Sequence, residues 1–123
     1  MSMTLDSSLE IRVSKEVGVW RHCYAIHAFL GGELVGTLEG YARMGDKFHL
    51  SYIKVMATQT RKGVGTLLME SLCSLADEKG WAVYLTPVSQ NRKVMSMASL
   101  RKFYASFGFK SWTYGDMIRL PEI

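Results

Sequence analysis

The hydrophobic pattern of this chain changes period at Gly63-Val64-Gly65, and that change dictates most of what the chain can fold into. Before it, from Leu9 to Met56, apolar residues alternate in short runs separated by glycine-containing turns, as in antiparallel strands, and four strands fit. After it, Val64, Leu67, Leu68, Leu72, Leu75 and Ala76 form one stripe of a helix that ends at Lys79 and Gly80. Trp81 to Val88 is then a continuously apolar run rich in β formers, so a strand follows the helix and can pair in parallel with the strand before it.

Within the first half, Tyr24, Ile26, Ala28 and Leu30 alternate against Cys23, Ala25, His27 and Phe29. Gly31-Gly32 supplies the turn into Leu34 to Tyr41. Beyond a second turn at Gly45-Asp46-Lys47, Phe48 to Met56 is apolar on both faces, as expected near the centre of a sheet. In the second half, Ser96 or Ser99 can cap a helix carrying Leu100, Phe103, Tyr104 and Phe107, which Gly108 ends. Phe109 to Leu120 reads as a final strand. The expected fold is a mixed α/β (α+β) sheet: antiparallel N-terminal strands, a β-α-β unit with a phosphate-binding loop, a second helix and a C-terminal strand. With 123 residues and 48% hydrophobic content, residues 1–123 are expected to form one domain around one core.

Lys and Arg outnumber Asp and Glu by 15 to 11, which suits an anionic ligand. The basic pairs Arg61-Lys62, Arg92-Lys93 and Arg101-Lys102 are scattered, which argues against a nucleic-acid partner. Trp20, Trp81 and Trp112 read as edge or core aromatics, because they lack the basic interleaving of a single-strand binder. Cys23 and Cys73 show neither zinc spacing nor disulfide density and read as core thiols. A metal cluster of His22, Cys23 and His27 is disfavoured because adjacent strand residues point to opposite faces, so no metal is expected. No apolar run is long enough to span a bilayer, and a cytoplasmic, membrane-free protein is the expectation.

The loop Thr60-Arg61-Lys62-Gly63-Val64-Gly65 joins a buried strand to a helix. There, unpaired backbone N–H groups converge and the glycines let a ligand approach. Arg61 and Lys62 place positive charge where a helix start prefers negative charge, which asks for an anion in compensation. The Gly-x-x-x-x-Gly-Lys-Ser/Thr loop is absent, and no third glycine completes Gly-x-Gly-x-x-Gly. A dinucleotide enzyme would also begin with its β-α-β unit, whereas antiparallel strands come first here.

Strand Phe48 to Met56, the loop, the helix, strand Trp81 to Val88, Phe103-Tyr104 and Gly108-Phe109 together resemble the GNAT family of N-acetyltransferases, over about residues 33 to 120. The family loop reads Arg/Gln-x-x-Gly-x-Gly/Ala. Gly63 and Gly65 fit it, while Thr60 stands at the Arg/Gln position with Gln59 beside it. The Asn often found seven residues before the family tyrosine is Met97 here. The usual family core also has two helices between its first two strands, and no helical period precedes Val64. That absence implies an open acceptor site, suited to a protein tail or exposed lysine, or a pocket completed in a homodimer.

The resemblance implies a cofactor, acetyl-CoA, held by the main chain of Ile53 and Val55 and by Arg61, Lys62, Gly63, Val64, Gly65 and Thr66. It implies transfer of an acetyl group to an amine acceptor, a protein lysine or a small amine. The alternative is a catalytically silent coenzyme A-binding or protein-interaction module of the same fold. Acyl transfer needs a base for the ammonium, donors for the oxyanion and an acid for the thiolate. The Ile53 N–H is the expected oxyanion donor. Tyr104 matches the family's acid and, with a reference pKa of about 10, can stay protonated at neutral pH. His49 stands where several members carry a glutamate base, and strand alternation puts it on the same side as Ile53. Glu39 and Glu33 are fallback bases.

Overall fold

A computed structural model describes residues 9–18, 21–43, 45–56, 63–88 and 96–122. Among these residues, seven strands form one sheet in the order β1-β2-β3-β4-β5-β7-β6. The first four, β1 (Leu9–Val17), β2 (His22–Leu30), β3 (Glu33–Arg43) and β4 (Lys47–Val55), pair antiparallel in chain order. Helix α1 (Val64–Lys79) then returns the chain so that β5 (Ala82–Leu85) runs parallel to β4. Helix α2 (Met97–Ala105) follows, and β6 (Lys110–Ser111) and β7 (Met117–Arg119) close the far edge as an antiparallel pair. β4 is therefore the central strand, as its two-sided apolar pattern requires.

Both helices lie on one face of the sheet. Val64, Leu68, Met69, Leu72 and Ala76 of α1 pack with Ile26, Ala28, Leu38, Phe48 and Val83 into a single apolar cluster, which Leu100 and Tyr104 of α2 join. Gly36 is what lets α1 lie so close to β3, since a Cβ there would come within 2.7 Å of Val64 Cγ1. Ser96 caps α2, its Oγ accepting from the Ser99 N–H at 3.1 Å. The two helices and β7 are joined by Arg119, which is 5% exposed. Its guanidinium donates to both carboxylate oxygens of Asp77 on α1, at 2.9 and 3.1 Å, and to the Phe107 carbonyl beyond α2 at 2.8 Å. No described helix is long and apolar enough to cross a membrane.

The second half departs from the expected continuous strands. The Trp81 to Val88 run forms a ladder only at Ala82–Leu85, since Pro87 has no N–H to donate to one; the Thr86 side chain ties the segment to Asp116, its Oγ1 donating to Oδ1 at 2.8 Å. Phe109 to Leu120 is broken by a 3₁₀ turn at Thr113–Gly115, in which Tyr114 holds φ 55. Trp112, on that turn, is 52% exposed and so no core residue. Cys23 is exposed, not a core thiol, because alternation sends it to the face that carries no described helix; Cys73 is partly buried on α1.

Candidate active site

The sheet splits at its centre. β4 and β5 pair only through Lys47–Ala82, Phe48–Val83 and His49–Tyr84, and from Leu50 to Val55 the β5-facing edge of β4 has no described strand partner. The cause is visible on the other edge of β4. Gly40 pairs with Leu50 and Glu39 with Tyr52, so Ser51 is an extra residue, and such a bulge bends and twists its strand away from a neighbour.

Beyond the bulge the backbone parity is reversed. The Met56 N–H donates to the Val35 carbonyl of β3 at 2.9 Å. Successive N–H groups on a strand face opposite edges, so those of Ile53 and Val55 point away from β3 into the fork. This is where the sequence places backbone donors. The Ile53 and Val55 side chains pack against the apolar cluster on the helix side.

α1 begins beside the open end of this fork. Gly63 precedes it at φ 78, a left-handed conformation that favours glycine, with no side-chain cap. The first intrahelical bond runs from the Leu67 N–H to the Gly63 carbonyl at 3.0 Å, so the N–H groups of Val64, Gly65 and Thr66 are without intrahelical partners. No acidic residue occupies the first turn. Val64 is buried in the core and can offer a ligand only its main chain, while Thr66 is exposed. A Cβ on Gly65 would lie 3.7 Å from Val55 and 3.8 Å from Phe103, within the slot between the end of β4 and α2. Gln59, Thr60, Arg61 and Lys62 lie outside the described residues.

His49 is the last residue of β4 paired with β5 and so stands at the root of the fork. The expectation that it shares a side with Ile53 does not hold. Alternation would put residues 49 and 53 together, but the extra residue at Ser51 reverses the parity, so the two side chains lie on opposite faces. On the face without a described helix, His49 belongs to a cross-strand row of Cys23, Tyr41, His49, Tyr84 and Ile118. Its Nδ1 is 3.4 Å from the Tyr41 hydroxyl, a long hydrogen bond, and Arg21 stacks over the Tyr41 ring at 4.5 Å. Partial burial pushes the His49 imidazole below its ordinary value; Asp116 opposes that shift and Arg43 adds to it. The neutral form, which can accept a proton, is thereby favoured.

Tyr104 is buried on α2 against Phe103 and Phe109, and burial pushes its phenol up, so it stays protonated. Glu39 pairs across the strands with Tyr52, whose phenol is pushed up by their hydrogen bond, and Glu33 is exposed at the β2–β3 turn. Sequence reasoning passed over Tyr41, Tyr84 and Asp116. The first two stand directly across from His49 in the β3 and β5 ladders, a juxtaposition set by register; Asp116 follows the 3₁₀ turn that interrupts the expected Phe109 to Leu120 strand.

The sequence model of the acetyltransferase (GNAT) family matches residues 5–109. Among solved structures, an aminoglycoside 6'-N-acetyltransferase complexed with coenzyme A is 18% identical with a TM-score of 0.63, over 82% of this chain and 75% of that one. The ribosomal-protein-S18-alanine N-acetyltransferase from Escherichia coli is 18% identical with a TM-score of 0.65, over 87% and 73%. The PaiA N-acetyltransferase from Thermoplasma acidophilum, in complex with coenzyme A, is 22% identical with a TM-score of 0.61, over 82% and 61%. At these identities the likeness is one of fold. No curated protein matches the chain.

Proposed function

The chain belongs to the acetyltransferase (GNAT) family, and from that premise we propose that it transfers an acetyl group from acetyl-CoA to a primary amine, a protein lysine or a small amine. The observation that carries this reading is the fork: main-chain donors of Ile53 and Val55, without a partner among the described residues, open beside a helix start that has no side-chain cap. The residues present fit the coenzyme. The N–H groups of Val64, Gly65 and Thr66 would hold its phosphates, and a Cβ at Gly65 would intrude on the slot its arm needs.

The bound coenzyme supplies an activated thioester. Around it the chain contributes three functions. His49, kept in its neutral form by partial burial, accepts the proton of the acceptor ammonium from the face without a described helix, directly or through a water. The Ile53 N–H donates toward the oxygen on which negative charge develops. Tyr104, kept protonated by burial, is the acid for the departing thiolate.

A second reading, a coenzyme-binding module without turnover, is favoured by the surroundings of His49, whose Nδ1 already faces the Tyr41 hydroxyl at 3.4 Å. Mass spectrometry of a cell lysate incubated with the protein and isotopically labelled acetyl-CoA, together with calorimetric titration of coenzyme A into the protein, separates the two. Labelled lysines or labelled small amines establish transfer and name the acceptor class. Saturable coenzyme binding without label in any acceptor supports the silent module, and failure to bind coenzyme A contradicts both.

A further inference from the structure

Among the described residues β1 ends the sheet, and it pairs with β2 from Leu9–Leu30 to Val17–His22 without a register shift. Its outer edge is therefore a regular ladder of backbone donors and acceptors. Side chains alternate across it. Leu9 and Ile11 pack against the core, and Val13 and Val17 continue the same row but are 51% and 73% exposed, since α1 lies over β2, β3 and β4. The opposite row holds Glu10, Arg12, Ser14 and Glu16.

We propose that two copies of this chain pair through β1, antiparallel, about a two-fold axis at Ser14, joining their sheets edge to edge. A two-fold axis must pass through a residue if each row is to keep its own face, and charge together with length of overlap selects which residue: an axis at Ile11 also sets Glu10 against Arg12 but pairs only Leu9 to Val13 of β1. An axis at Val13 sets Glu10 against the second copy's Glu16, and an axis at Arg12 sets Arg12 against itself; like charges directly opposite are destabilising. The axis at Ser14 sets Arg12 opposite Glu16 twice and Ile11 opposite Val17 twice, matching charge on one face and covering apolar surface on the other.

Lys15 also fits. Its ammonium sits over its own Tyr24 ring at 5.7 Å, so its stem can lie along the Val13 of the second copy. The existing contact of Arg12 with Glu10, at 2.9 Å, joins two exposed side chains and is cheap to exchange. Charges on an edge strand ordinarily repel any other strand. In this register they are complementary to a second copy.

The test is light scattering coupled to size exclusion over a concentration series, with circular dichroism to confirm folding. The wild type should form a dimer. Arg12→Glu should weaken it at least about tenfold, and Arg12→Glu combined with Glu16→Arg should restore it. In a Cys23→Ser background, Ser14→Cys should give a disulfide-linked dimer on mild oxidation. A wild type that stays monomeric throughout overturns the proposal. So does a dimer indifferent to Arg12→Glu, or one not recovered by the double exchange.

Discussion

Phe48 and His49 are neighbours on β4, yet they belong to two different environments. Phe48 is fully buried on the helix-covered face, stacked on Trp81 at a centroid distance of 4.9 Å. His49 lies half-buried on the face without a described helix, among Tyr41, Tyr84 and the charges of Asp116 and Arg43. One face holds the fold together, and the other presents ionisable groups at the root of the fork. The bulge at Ser51 is where the two meet, since it turns the later apolar side chains of β4 toward the helices while opening its edge.

If that division is right, substitutions on the covered face should act on stability and those on the other face on turnover. The largest effect is expected from Phe48→Ala, which should cost about 3–5 kcal/mol through lost burial and the cavity left behind, measured by denaturant unfolding. Breaking the tie between α1 and β7 by Arg119→Ala should cost about 2–4 kcal/mol, because it strips a bidentate partner from Asp77. His49→Gln should do the reverse. It should leave unfolding within about 1.5 kcal/mol of wild type and lower kcat about 10²-fold. A large stability loss for His49→Gln would erase the contrast between the faces.

The pH dependence separates the same two regions. Burial lowers the folded pKa of His49, so its neutral form is complete above the ordinary value of 6.5 and is lost as pH falls through the lowered value. The rate should therefore show an acid limb below pH 6.5 that His49→Gln abolishes. Asp77 is held below its ordinary 3.8 by the Arg119 hydrogen bond, so its contribution to stability is present above that value and lost as pH falls through the lowered one. Asp77→Asn should flatten the acid unfolding limb below pH 3.8 and leave the rate profile unmoved.

The first helix, the central place of β4 and the parallel β-α-β unit were legible because they follow from local periodicity and glycine placement. Val64 to Lys79 came out as read, and β4 took the centre that its two-sided pattern implied. What escaped depends on pairs. The bulge at Ser51 exists only in the register of β4 against β3, so alternation along β4 alone put His49 on the wrong face. The Asp77–Arg119 bond joins residues far apart in the chain, and nothing in either local segment announces it. The break between β6 and β7 did have a local signal, Gly115-Asp116, which the apolar residues around it obscured.

Gly65 offers the most direct test of the coenzyme fork. An alanine there meets Val55 and Phe103 at ordinary contact distances, 3.7 and 3.8 Å, so the free protein can accept it. The exchange should stabilise the helix by up to about 1 kcal/mol. Titration calorimetry of coenzyme A into both proteins should show saturable binding of one equivalent by wild type, weakened at least about tenfold in Gly65→Ala, with folding intact. No binding by wild type, or equal binding by the two, would contradict the account.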